Sequence, residues 1–268
     1  MRLACRRPLR VGGVLLGGER PLVCVPMVAS DEVGAERFVD AVLEFRPDLV
    51  ELRVDYWDFV EDLDRSLGLL ERIRERLSGV PLLLTCRDSA EGGARFVPLE
   101  RRRELYFRAI ENAFVDMVDV ELARGYGYIE QIKTMTSDKG IALVVSWHDF
   151  SGTPSGDFIL SVISRQIFCG ADVAKVAVMA KGEGDLEELL LATRRARLLF
   201  PEIPLITMAM GEKGVLSRLV GFAFGSDLTF AALSGASAPG QVSAALLRTL
   251  FESFEKLGLW GAGSGRRG

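Results

Sequence analysis

Apolar residues along this chain switch repeatedly between two spacings. Short runs rich in Val, Ile and Leu occupy residues 21–29, 49–55, 81–87, 116–122, 141–150, 173–180, 204–211 and 227–233. Such runs predict buried strands. Between them lie stretches such as AERFVDAVLEFR, LERIRERL, RRRELYFRAIENA, DLEELLLATRRARLLF and VSAALLRTLFESFEKL. Their apolar residues fall three and four apart, which predicts amphipathic helices. Eight strand–helix units in one chain of 268 residues argue for an α/β fold, a (β/α)8 TIM barrel, over an open doubly wound sheet. The glycine-rich fingerprint of a dinucleotide fold is absent after the first strand. The expectation is a single barrel domain over residues 1–258, with residues 259–268 (WGAGSGRRG from its Trp onward) as a flexible tail. An N-terminal β-hairpin, read from LRVGGVLLGGERPLVCV, is expected to close the bottom of the barrel.

The polar residues inside those runs carry the next signal. Side chains alternate between the two faces of a strand. In ELRVD, Glu51, Arg53 and Asp55 share one face, while Leu52 and Val54 take the other. An edge strand with a wet face would read the same way. In a barrel, however, the apolar face packs on the helices and the charged face points inward, where charge is costly unless paired. Asp119 and Glu121 share a face, as do Ser146 and His148, and Lys175, Ala177 and Met179. In LTCRD, Arg87 follows Leu83, and Thr85 and Asp88 are read as out of phase with it. Charged groups on several strands, near their C-terminal ends, favour a polar reaction chamber over scattered structural ion pairs.

Composition narrows the function classes. The formal net charge of −4 implies no polyanion partner, and Arg101-Arg102-Arg103 reads as a solvated helix face. Cys5, Cys24, Cys86 and Cys169 are far apart, which suits reduced thiols in a cytoplasmic protein. With one histidine and no Cys-x-x-Cys pair, a metal site is not expected. No apolar run approaches the ~20 residues of a membrane helix. The basic-then-apolar start, MRLACRRPLRVGGVLLGG, is short, glycine-broken and without an A-x-A-like site, so it is not read as a signal peptide.

Two residues stand out for their rarity. Lysine occurs at only six positions among 33 basic residues, and Lys175 stands inside the apolar string ADVAKVAVMA. Burial of an amine disfavours its charged form, and a neutral amine can attack a carbonyl to form a Schiff base. A structural pair with Glu51 or Glu121 is the plainer alternative. His148 is the single histidine, one strand earlier, in LVVSWHDFSG. It is either a satisfied core residue or a proton-transfer group within reach of the same substrate.

At this point seven ordered motifs, ELRVD (51–55), TCRDSAEGG (85–93), SWHDFSGTPS (146–155), GADVAKVAVMAK (170–181), ITMAMGEKG (206–214), SRLVGFAFGSDLTFA (217–231) and SAPGQ (237–241), resemble the type I 3-dehydroquinate dehydratase family. The resemblance runs from about Pro21 to Phe254. It implies dehydration of 3-dehydroquinate to 3-dehydroshikimate in the shikimate pathway. Lys175 would form the imine, His148 would move the protons of a syn elimination, and Glu91 would orient and polarise His148. Arg218 matches the arginine that clamps the substrate carboxylate. Glu51, Arg53 and Arg87 match residues that bind ring hydroxyls. Met208, Met210 and Phe230 match an apolar wall, and Ser237 and Gln241 match a closing loop. The resemblance also implies a cytoplasmic homodimer with 3-dehydroquinate as its small-molecule partner, no cofactor, and no nucleic-acid or membrane partner.

Trp147, Cys86 and Ala180 depart from the family pattern, which would place Tyr, an aromatic residue and Pro there; none is a reacting group. A class I aldolase would also use a lysine of the sixth strand, but many act on phosphorylated sugars and need a phosphate cradle after strands seven and eight. That region here, GSDLTFAALSGASAPGQ, suits a mobile lid better. A non-catalytic module sensing quinate-like ligands would be marked by loss of Lys175 or His148, and both are present.

Overall fold

The computed structural model describes residues 2–233 and 238–260. Eight parallel strands form the curled sheet: β3 (Leu22–Met27), β4 (Leu49–Arg53), β5 (Leu82–Thr85), β6 (Met117–Glu121), β7 (Ala142–Asp149), β8 (Val173–Met179), β9 (Leu205–Met210) and β10 (Leu228–Ala232). Around it lie α1 (Glu32–Phe45), α2 (Leu63–Arg76), α3 (Leu99–Glu111), α4 (Tyr126–Lys139), α5 (Gly156–Phe168), α6 (Glu183–Leu199), α7 (Val215–Phe224) and α8 (Ala244–Lys256). The predicted (β/α)8 barrel is therefore the observed architecture. A two-residue strand, β11 (Val242–Ser243), extends the sheet beside β10.

The helices form for local reasons and stay for packing. Asp31 accepts a hydrogen bond from Gly34 N, and Asp62 from Arg65 N, satisfying free amides at the starts of α1 and α2. Ala35, Phe38, Val39 and Val42 then bury one stripe of α1 against the outside of the sheet, at the spacing of one helix face. A core leucine there, such as Leu69 of α2, is fully buried, and truncating it to alanine costs about 2–5 kcal/mol.

The hairpin is shorter than the sequence suggested. β1 (Leu9–Val11) and β2 (Val14–Leu16) pair antiparallel around Gly12, whose φ of +51° suits glycine. The PLVCV segment does not belong to it; residues 22–27 form the first barrel strand. Val11 and Leu16 pack with Leu22, Leu49, Leu83 and Met117 in the lower barrel interior, so the hairpin closes that end. The packed chain also runs past the expected boundary at residue 258. Trp260 is buried and meets Phe222 and Phe251 edge-on at 4.7 and 5.3 Å between centroids. The remainder of the expected tail, 261–268, lies outside the described residues.

β9 and β10 close the barrel without a continuous ladder. Side chains supply the missing bonds: Leu205 N donates to Asp227 Oδ2 at 2.8 Å and Thr207 N to Ser226 Oγ at 3.1 Å. Asp227 also accepts from Arg2 at 2.6 Å and from Arg197, all three side chains being buried.

Candidate active site

The upper barrel interior turns from apolar to polar at the level of Lys175. Val144 and Val173 fill the layer below it, and Ile206 lies opposite it on β9. Strand register then places Lys175 opposite Ser146, and His148 opposite Ala177, one pleat nearer the C-terminal mouth. Adjacent strands lie about 5 Å apart, so both side chains serve one chamber.

Lys175 is almost fully buried and does not stand alone. Its Nζ lies 2.8 Å from Asp119 Oδ2 and 3.5 Å from Glu51 Oε1, and 4.6 Å from the centre of the Phe230 ring. The alternative partner Glu121 instead pairs with Arg87 and with Arg102 of α3. Arg87 reaches across the barrel: its Nη2 is 2.8 Å from Asp119 Oδ2, and its Nη1 donates to Ser146 Oγ at 2.7 Å. Ser146 Oγ donates in turn to Asp119 Oδ1 at 2.6 Å. Burial alone would raise the Asp119 pKa, but the charges of Arg87 and Lys175 outweigh it and hold this carboxyl well below the usual range.

Thr85 corrects the phase read from sequence. Its hydroxyl donates to Glu51 Oε1 at 2.9 Å, so Thr85 and Arg87 point inward together. Arg53 pairs with Asp55 through two bonds, at 2.8 and 2.7 Å. Asp55 also accepts from the backbone of Arg87 and Ala94, at 3.2 and 2.9 Å, which pins the loop that carries Glu91.

His148 sits near the mouth, with Glu91 Oε2 accepting from its backbone amide at 2.9 Å and lying 3.0 Å from Nδ1. Burial, reinforced by the positive charges of Arg87 and Lys175, keeps the imidazole pKa well below its ordinary value, so the ring is neutral. With Glu91 as a carboxylate, Oε2 accepts from both the amide and Nδ1, so Nδ1 carries the ring proton and Nε2 is left as a base. Burial pushes the Glu91 carboxyl up to about 7. Gly92, at φ +83°, follows it; a Cβ there would run into the Phe150 ring, which roofs this corner.

Arg218, projecting from α7, forms the opposite wall. Its guanidinium is buried, and its pKa falls to about 10 through burial. Its contacts are soft or weak: Met208 Sδ at 3.6 Å, Phe230 O at 3.4 Å and Pro239 O at 3.3 Å. No ion pair among the described residues includes it. A buried cation with no carboxylate among the described residues can pair with an anion.

One pocket gathers Glu51, Arg53, Arg87, Glu91, His148 and Lys175 with Met208, Met210, Arg218, Phe230 and Gln241. Of the residues singled out from sequence, only Ser237 lies outside the described residues. Gly92, Phe150, Ala177 and Ala238 also line the pocket. Asp119 and Ser146, beneath it, were visible in sequence only as members of an inward face. Among the described residues no cluster of His, Cys, Asp or Glu is placed to hold a metal ion. Among the described residues no helix is long and apolar enough to cross a membrane.

Fold and mouth together define the class: a (β/α)8-barrel enzyme with a charged reaction chamber at the C-terminal ends of its strands. The model of the type I 3-dehydroquinase family matches residues 23–257. A 3-dehydroquinate dehydratase of Aromatoleum aromaticum is 38% identical over 256 residues, covering 95% of this chain and 98% of that protein. The crystal structure of the Geobacillus kaustophilus 3-dehydroquinate dehydratase superposes with a TM-score of 0.92 at 36% identity, covering 96% of this chain and all of that one. That of the type I enzyme from Clostridium difficile, which carries covalently modified comenic acid, gives 0.90 at 33% identity, covering 94% and 98%. The chain belongs to the type I 3-dehydroquinase family. It is a hydro-lyase that dehydrates 3-dehydroquinate.

Proposed function

We propose that the dehydration is a syn elimination through a Schiff base at Lys175. The observation that carries this reading is the shared chamber: a buried amine, a neutral imidazole fixed by Glu91, and a buried guanidinium that pairs with no carboxylate among the described residues all open onto one pocket. Arg218 takes the substrate carboxylate, which sets the C3 ketone over Lys175. Attack by Nζ and loss of water give an iminium, whose nitrogen can accept an electron pair. His148 Nε2 then removes a proton from C2, and the pair moves onto nitrogen as an enamine forms. The enamine returns its electrons and expels the C1 hydroxyl, which leaves as water with the proton that His148 gives back. Hydrolysis frees Lys175 and 3-dehydroshikimate.

In this reading Glu91 keeps the imidazole in its basic tautomer and stabilises the imidazolium. Glu51, Arg53 and Arg87 bind ring hydroxyls; Met208, Met210 and Phe230 form the apolar wall; Ser237 and Gln241 close the lid. The imine supplies the electron sink, so the chemistry calls for neither metal nor cofactor. We extend the reading to one barrel domain over residues 1–258, with Trp260 packed against it, acting as a cytoplasmic homodimer in the shikimate pathway.

Oxygen exchange tests it. Imine formation expels the C3 oxygen and hydrolysis replaces it from solvent. Turnover in ¹⁸O-water, quenched early, is expected to yield 3-dehydroshikimate carrying solvent oxygen at C3 in every molecule. Retention of the original oxygen, beyond the exchange of an enzyme-free control, contradicts a Schiff base.

A further inference from the structure

We propose that Asp119 is the counter-ion of the Lys175 nitrogen throughout the reaction, pairing first with the ammonium and then with the iminium. The proposal rests on the Schiff-base reading.

The bookkeeping of imine formation motivates it. An ammonium and a ketone combine to an iminium and water: two of the three N–H hydrogens leave with the ketone oxygen, one stays, and the positive charge remains on nitrogen. A carboxylate that pairs with the resting lysine therefore never has to be exchanged. It faces a cationic N–H donor before and after the bond forms.

The geometry selects Asp119 over Glu51 for this role. Asp119 Oδ2 is 2.8 Å from Nζ, against 3.5 Å for Glu51 Oε1. Asp119 is fully buried, so water has no access to compete for it. Its orientation is fixed on both sides, by Ser146 Oγ at 2.6 Å on Oδ1 and by Arg87 at 2.8 Å on Oδ2. The Phe230 ring centre, 4.6 Å from Nζ, presents its negative face to the same nitrogen. A preorganised anion beside a persistent cation lowers the energy of the iminium without reorganising as it forms. Glu51, whose Oε1 also takes the Thr85 hydroxyl, keeps a looser contact and faces the pocket.

The test separates imine formation from binding. Borohydride trapping with 3-dehydroquinate is timed for the parent enzyme and for Asp119→Asn, alongside the affinity of an analogue with an alcohol in place of the C3 ketone. The variant is expected to trap slower by on the order of 10²-fold, the scale for removing one preorganised electrostatic partner. Its affinity for the alcohol should stay within about threefold. Trapping at the parent rate overturns the proposal. So does a matching loss of alcohol binding, which would make Asp119 a structural residue of the pocket. Ser146→Ala leaves the carboxylate charged but frees its orientation; it should slow trapping on the order of tenfold, and no slowing also overturns the proposal, even if Asp119→Asn does not fold. Failure of the parent itself to form an adduct removes the Schiff-base reading, and this inference with it.

Discussion

The backbone amide and the ring Nδ1 of His148 meet the same oxygen of Glu91, at 2.9 and 3.0 Å. The amide bond fixes the carboxylate to strand β7, and the carboxylate then fixes the ring. The imidazole is thus oriented by its own backbone through Glu91, which leaves Nε2 facing the pocket. On this arrangement His148→Ala should lower kcat by about 10²–10⁴, the usual contribution of a general acid–base group. Borohydride should still trap an adduct on the variant, since imine formation precedes proton removal at C2. Turnover near the parent rate would return His148 to a packing role.

Glu91 also predicts a pH dependence of stability. Its folded pKa is raised by burial to about 7, against an ordinary value of 4.5. The folded state holds a proton that the unfolded chain releases between these values. The stabilisation from this group is therefore complete below about pH 4.5 and is lost as pH rises through 7. Glu91→Gln keeps the shape and removes the ionisation. It should be more stable than the parent near pH 8, by up to about 3 kcal/mol, and no different near pH 4. Chemical denaturation at the two pH values reads this directly, and a variant that is less stable at the higher value contradicts the burial argument.

Arg218 is the buried guanidinium that pairs with no carboxylate among the described residues. Arg218→Ala is expected to weaken substrate binding by roughly 1.5–3 kcal/mol, the range for a hydrogen bond to a charged group. Arg218→Lys should not restore it, because an ammonium cannot reproduce the two-pronged donor. An unchanged KM in both variants would remove Arg218 from the binding site.

Much of this molecule was legible because barrels obey a two-residue period. The inward faces of Glu51–Arg53, Asp119–Glu121 and Ser146–His148 were readable from alternation alone. The phase of Thr85 differs from the expected one: Arg87 follows Thr85 by two residues, and both hydroxyl and guanidinium reach the interior. PLVCV fits both the end of the hairpin and the first of the eight strands by its apolar texture; its pairing with β4 and β10 makes it the barrel strand alone. The choice of Asp119 as the partner of Lys175 depends on contacts between positions 56 residues apart. No local pattern encodes such a contact. The same holds for Phe150 over Gly92 and for the role of Arg2, which bonds a residue 225 positions away.

That last contact makes a stability prediction. Asp227 holds Arg2, Arg197 and the Leu205 amide together at the β9–β10 seam. Asp227→Ala would leave two buried guanidinium groups without their carboxylate and the Leu205 amide without its acceptor. A loss of about 3–5 kcal/mol is expected, the range for breaking a buried ion pair from one side. A loss below ~1 kcal/mol in denaturant titration would mean that the seam does not depend on this carboxylate.

The Schiff base at Lys175 is the central claim, and covalent trapping tests it most directly. The other lysines, Lys133, Lys139, Lys181, Lys213 and Lys256, are exposed or half-buried on helices and loops, away from the pocket. Borohydride added with 3-dehydroquinate or 3-dehydroshikimate should therefore inactivate the enzyme irreversibly, and peptide mapping should place a single reduced adduct on Lys175. An absence of adduct, an adduct on another lysine, or sustained turnover by Lys175→Ala would contradict the account.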